Sequence, residues 1–133
     1  MTFRTLLIIK AVVCLVFGLF LLLGPDTLLN LLGAELNDAG RFTAREYGAA
    51  LVGTLLLTWF ARNVKAADAR GAILVDLLVY DFIGMVVTSS VVLSGVLNSL
   101  GWSIVAVYLF FTLGSGYVLL KEKPFQQNRT STV

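Results

Sequence analysis

The sequence predicts an all-α fold: a four-helix transmembrane bundle, antiparallel, with both termini cytoplasmic and a short interfacial helix after span one. Three observations lead there. Of 133 residues 58% are hydrophobic and only 14% charged, against roughly 45–50% and about 25% in soluble proteins. A soluble globule of this length could not hide that surplus, so it is expected to face lipid. The apolar residues also fall in four long runs, and Phe82 to Leu120 holds no formal charge. Finally, the basic residues gather at one set of chain ends and loops.

Span one is placed at 3–23 and stops at Gly24-Pro25-Asp26, a helix-ending combination. Arg4 and Lys10 before an apolar run resemble a signal peptide. The run is longer than an ordinary signal core, however, and Gly24-Pro25-Asp26 is no small-x-small cleavage site, so an uncleaved span is expected. Leu28, Leu29, Leu31 and Leu32, followed by Glu35, Asn37, Asp38 and Arg41, predict a short helix on the membrane surface. Span two is placed at 43–61, with Arg45 and Glu46 near its end. A short basic loop follows, Arg62 to Arg70. The uncharged stretch after it would be about 58 Å long as one helix, about twice the hydrocarbon thickness. It must fold back between Ser94-Gly95 and Asn98-Ser99-Leu100-Gly101, giving span three at 71–96 and span four at 102–120. Residues 1–124 then form one membrane domain, and 125–133 a polar cytoplasmic tail expected to be disordered.

Orientation follows from charge. With both termini and the 62–70 loop on one side, that side holds Arg4, Lys10, Arg62, Lys65, Arg70, Lys121, Lys123 and Arg129; the other holds only Arg41 and Arg45. The positive-inside rule makes the first side cytoplasmic and the location the cell membrane. Tyr47 and Trp102 are expected at the outer interface, Trp59 and Tyr117 at the inner one.

Chemistry at membrane depth rests on few residues. Asp76 and Asp81 both fall within span three, where a charge costs roughly 2.5–3.5 kcal/mol near the helix centre. Five residues apart, they point about 140° away from each other, so they form no carboxylate dyad. They head two seams of small and hydroxyl residues suited to close helix contact: Asp81, Gly84, Thr88 and Gly95; and Asp76, Tyr80, Ser90 and Ser94. Lys10 lies at about the depth of Asp76, which makes a Lys10–Asp76 ion pair a candidate, against a Lys10 that snorkels to the headgroups. With no base near its depth, Asp81 is expected to stand alone, either as a proton-carrying group or as a neutral acid bonding between helices. Glu46 is either an acid at the outer mouth or an interfacial carboxylate at a helix N-terminus. Ala49 and Gly53 form a small-xxx-small pair on span two.

Other classes find no support in the letters. Histidine is absent, Cys14 is the single cysteine, and no nucleophile with an adjacent base, metal-ligand cluster or phosphate loop occurs. No enzyme activity, cofactor, metal or nucleic-acid partner is therefore predicted. Arg45-Glu46-Tyr47-Gly48 opening span two and Gly101-Trp102 opening span four give a layout that resembles the small four-span bacterial membrane proteins of unknown function, the DoxX-like class among them. The resemblance implies a bacterial inner-membrane protein and carries over no functional residue. Small multidrug transporters share the size but depend on an acid in the first span, where this chain has Lys10. Two functional readings remain. One is a structural or accessory subunit docking through its helix faces to other membrane subunits or to copies of itself; the other is a minimal proton-coupled transporter or channel, oligomeric, using Asp81. The lipid bilayer is the common partner of both.

Overall fold

Each helix of the computed structural model, which describes residues 1–130, begins or ends at a local signal. Thr2 caps α1 (Phe3–Leu23) by accepting the Thr5 N–H at 3.2 Å. Pro25 opens α2 (Pro25–Leu31) directly after Gly24, at a position where a missing N–H costs nothing. Gly33, at φ +82, reverses the chain. Asn37 then caps α3 (Asp38–Ala61) by accepting the Gly40 N–H at 2.7 Å. α4 (Ala67–Leu93) gives way to a turn through Gly95, at φ +80, before α5 (Gly101–Glu122) and α6 (Pro124–Thr130).

The described residues form helices and no strand. Three stretches are long and apolar enough to cross a membrane: α1, α4, and Gly101–Gln127, which contains α5. α3 has the length, but Asp38, Arg41, Arg45 and Glu46 crowd its first half, so only its second half is continuously apolar. Large apolar side chains stand exposed on all four long helices: Val12 and Leu19, Leu56 and Phe60, Val79 and Phe82, Leu109 and Leu113.

Several boundaries differ from the sequence reading. α3 starts at Asp38, ahead of the expected 43, because the Asn37 cap and the Arg41 ion pairs fix its first turns. α4 covers Ala67–Leu93 in place of 71–96, and Gly95 belongs to the turn beyond it. The expected disordered tail begins instead as α6, packed on α4: a Cβ on Gly71 would stand 2.5 Å from Cζ of Phe125, so that ring occupies the notch the glycine leaves. Residues 131–133 of that tail lie outside the described residues.

α1 packs along α3, and α4 along α5. The first pairing depends on two glycines, since a Cβ on Gly48 would meet the Leu22 backbone N at 2.7 Å and the Gly18 carbonyl at 3.0 Å. Backbones this close are how membrane helices gain packing contact. One end of the bundle is solid. There Phe3, Leu6 and Leu7 of α1, Leu74 and Leu77 of α4, and Phe111 and Val118 of α5 form a fully buried cluster. A bidentate pair from Arg70 to Glu122, at 2.5–3.0 Å, straps α4 to α5 at this end, and the guanidinium lies 4.3 Å over the Phe3 ring. The other end is not filled.

Candidate functional site

The unfilled half holds a cavity of about 530 Å³ between the α1–α3 pair and the α4–α5 pair. Its walls are apolar: Val13, Cys14, Phe17 and Leu21 of α1, Ala44 and Leu51 of α3, Ile104 and Val107 of α5. Leu28, Leu29 and Leu32 of α2 and its C-cap, together with Leu36 and Leu97, form the roof. Asn98 braces that roof from the α4–α5 turn, donating its backbone N–H to the Leu32 carbonyl at 2.8 Å and its side-chain N–H to the Leu31 carbonyl at 3.0 Å. Arg41 ties α2 to α3 from the other side, donating Nε and Nη2 to the two Asp26 carboxylate oxygens at 2.8 and 3.0 Å. The guanidinium holds the Asp26 carboxyl below its ordinary range.

The charged and phenolic groups collect at the floor, where the solid half begins. Lys10 Nζ donates to Asp81 Oδ1 in an ion pair whose side chains are 4% and 0% exposed. The same ammonium lies 4.4 Å from the Phe111 ring centroid and 5.0 Å from that of Tyr80. Beside the pair, three hydroxyls meet from three helices. Tyr47 of α3 bonds to Tyr80 of α4 and, at 2.8 Å, to Tyr108 of α5. Gly84 makes room for this cluster, because a Cβ there would stand 2.6 Å from the Tyr108 ring.

The arrangement revises the sequence reading residue by residue. Lys10 pairs with Asp81, not with Asp76, and Asp81 does not stand alone. Helix ends mislead about depth here. Arg70 is level with Phe3, so Asp81 lies about 16 Å along α4 and Lys10 about 10 Å along α1 from a common plane. The four-carbon stem of Lys10 spans the difference. Facing decides the rest: Gly71, Leu74, Leu77 and Asp81 make the buried stripe of α4, and Asp76 falls outside it, exposed.

Of the Asp81 seam, Gly84 packs on Tyr108 and Thr88 lines the cavity, but Gly95 has no atom near its Cβ position. Of the Asp76 seam only Tyr80 turns inward. Ser90 and Ser94 are exposed and return their hydroxyls to the carbonyls of Val86 and Val91. Ala49 is exposed and Gly53 meets nothing within 4 Å, so close helix contact falls to Gly18 and Gly48 instead. Glu46 is exposed on α3, away from the lining. Tyr47, expected in an interfacial belt, points into the cluster. Tyr108 shares a face of span four with Thr112 and Ser115 in the sequence but was not expected at a site; Ile104, Tyr108, Phe111, Ser115 and Val118 follow that inward side.

Residues 2–121 match the model of a domain of unknown function, DUF8292. The chain belongs to this family. No curated protein and no solved structure gives a significant match to it. For this DUF8292 chain, function therefore has to be argued from the site itself.

Proposed function

We propose that this protein is a four-span membrane protein of the cell membrane, with both termini on the basic, cytoplasmic side, that binds a lipid-soluble small molecule between its helices. The observation that carries the reading is the cavity: about 530 Å³, with walls apolar apart from Thr43 and Thr88 and its charged and phenolic groups at the floor. That volume is within the roughly 300–1,000 Å³ of small-molecule sites, and convergent polar groups under apolar walls are what orients an amphiphile. α3 supplies the fourth crossing, since it packs along α1 and exposes Leu56, Leu57 and Phe60 as the other helices expose theirs. Binding is tested by mass spectrometry of lipids released from the purified protein. A stoichiometric lipophile is expected from the wild type and its loss from Ala44→Trp, which fills the cavity from α3. Equal lipid content in both proteins would sink the reading.

One observation favours docking to another membrane subunit or to a second copy as well. Asp76 is exposed on the outward face of α4 beside exposed Val75 and Val79, and it makes no ion pair among the described residues. A carboxylate on a lipid-facing surface is costly unless a neighbouring helix covers it. Asp76→Leu should therefore shift the protein from a defined complex to a monomer in native mass spectrometry while leaving its fold intact. A wild type that is already monomeric rules this out. The alternative reading, a proton-coupled transporter or channel using Asp81, now starts from a carboxylate paired with Lys10.

A further inference from the structure

We infer that the polar end of the bound molecule is a neutral hydroxyl group, so that the cavity takes a lipid-soluble alcohol or phenol. This rests on the cavity being a binding site and goes on to the chemistry of what it selects. Charge is the first constraint. Lys10 and Asp81 are the charged residues lining the cavity, and they are paired. A carboxylate, phosphate or amine head would bring an uncompensated charge into apolar surroundings, which is strongly unfavourable. A neutral head adds none.

The second constraint is a count of donors and acceptors at the floor. Asp81 Oδ1 accepts from Lys10, whereas Oδ2 is fully buried and has no hydrogen-bond partner. Buried acceptors are seldom left that way, and an ionised carboxylate takes only donors. Lys10 does not serve Oδ2, since the ammonium sits against the faces of Tyr80 and Phe111. The tyrosine cluster has the opposite surplus. Three hydroxyls own three protons, and the two contacts among them use two. One phenolic O–H is therefore left to donate.

The floor thus offers one free acceptor, on Asp81, and one free donor, held among Tyr47, Tyr80 and Tyr108, and all four residues line the cavity. A hydroxyl is both donor and acceptor and satisfies the two at once. An ether, ester or ketone accepts from tyrosine but leaves Oδ2 bare. A hydrocarbon leaves both bare. Phe17, Leu21, Leu51 and Ile104 then hold the apolar remainder.

The test is binding of tritiated 1-dodecanol to the protein in lipid nanodiscs, competed by dodecyl methyl ether, dodecanoate and dodecylamine. Dodecanol is expected to bind saturably, with the other three at least about tenfold weaker, as an unmet buried acceptor or an unpaired charge demands. A second measurement uses the double variant Lys10→Met/Asp81→Asn, whose new amide offers an N–H to the head. There the ether should bind as well as the alcohol. If the ether, acid or amine matches the alcohol on the wild type, the hydroxyl inference falls and the binding site survives. If none of the four binds saturably, the binding site falls with it.

Discussion

Removing the Lys10 ammonium while keeping its bulk isolates the energetics of the floor. In Lys10→Met the stem still packs, but Asp81, fully buried, loses its counter-charge. Breaking a buried pair from one side costs about 3–5 kcal/mol, because the remaining charge is uncompensated. The lost contacts with the Tyr80 and Phe111 rings add about 0.5–2 kcal/mol. Adding Asp81→Asn removes the orphaned charge, and double replacement of such pairs is often neutral or stabilising. The double variant should therefore recover most of the loss and return to within about 1 kcal/mol of wild type. Adding Asp76→Asn to Lys10→Met should recover little, since Asp76 is exposed and outside the pair. The assay is unfolding by sodium dodecyl sulfate from a mild detergent, followed by far-ultraviolet circular dichroism. A Lys10→Met protein within about 0.5 kcal/mol of wild type, or a double variant no more stable than the single, would refute the pair as the energetic centre of the site.

Three further outcomes are expected. Gly48→Ala should cost about 2 kcal/mol or more in the same unfolding assay, because the obstructing atoms are the Leu22 N and Gly18 O of the facing backbone; Gly53→Ala, which meets nothing, should be neutral or slightly stabilising. Gly84→Ala should displace the Tyr108 ring, and the change is read as loss of near-ultraviolet tyrosine dichroism with little change in helix content. The Asp26–Arg41 latch should weaken in acid. Its folded carboxyl is held low, so its contribution is complete above the unfolded value of about 3.9 and disappears as pH falls through the folded one. The stability difference between wild type and Asp26→Asn should accordingly shrink as pH drops from neutral toward that range, and a constant difference would show that the latch contributes nothing.

The helices were largely legible because their signals are local. Gly24-Pro25 breaks α1 from α2, and the length of the uncharged stretch forces a turn near Gly95 whatever lies around it. The chemistry of the site was legible only as a set of suspects. Asp81 was marked by its depth, but its partner depended on how far α1 and α4 slide along each other, and that offset is set by Arg70 over Phe3 and by the packed cluster below. No spacing within one helix carries such information. The same holds for the tyrosines. Tyr47, Tyr80 and Tyr108 lie on three different helices, and they meet because Gly84 lets α5 approach α4 and Gly18 and Gly48 draw α3 onto α1. Small residues were read as contact markers, yet Ala49 and Gly53 fit the motif as well as Gly48 does, and only the fold decides which side of α3 is inside.

Division of labour between the two halves of the bundle explains how so small a chain tolerates a hollow. A cavity lined by side chains that lack neighbours forfeits dispersion contacts, so the packing that holds the helices together has to come from elsewhere. It comes from the solid end, where the cluster from Phe3 to Val118 and the Arg70–Glu122 strap join α1, α4 and α5. α3 contributes nothing to that cluster and packs instead along α1, where Leu51 joins Cys14 and Leu21 in a second buried cluster beside the Gly18–Gly48 contact, with Tyr47 as its hydrogen bond to the far side. The hollow is thus bounded by a long helix that the solid end does not hold directly and by a short roof helix held by Arg41 and Asn98. If a ligand enters, the short roof helix α2, held by the Arg41 and Asn98 hydrogen bonds, is expected to yield before α4 and α5, which the solid end joins. Weakening the solid end with Leu74→Ala should then lower stability without changing dodecanol affinity, whereas Asn98→Ala should change affinity or exchange rate with little loss of stability. Equal effects of both substitutions on binding and stability would mean that the bundle responds as one body and that the division does not exist.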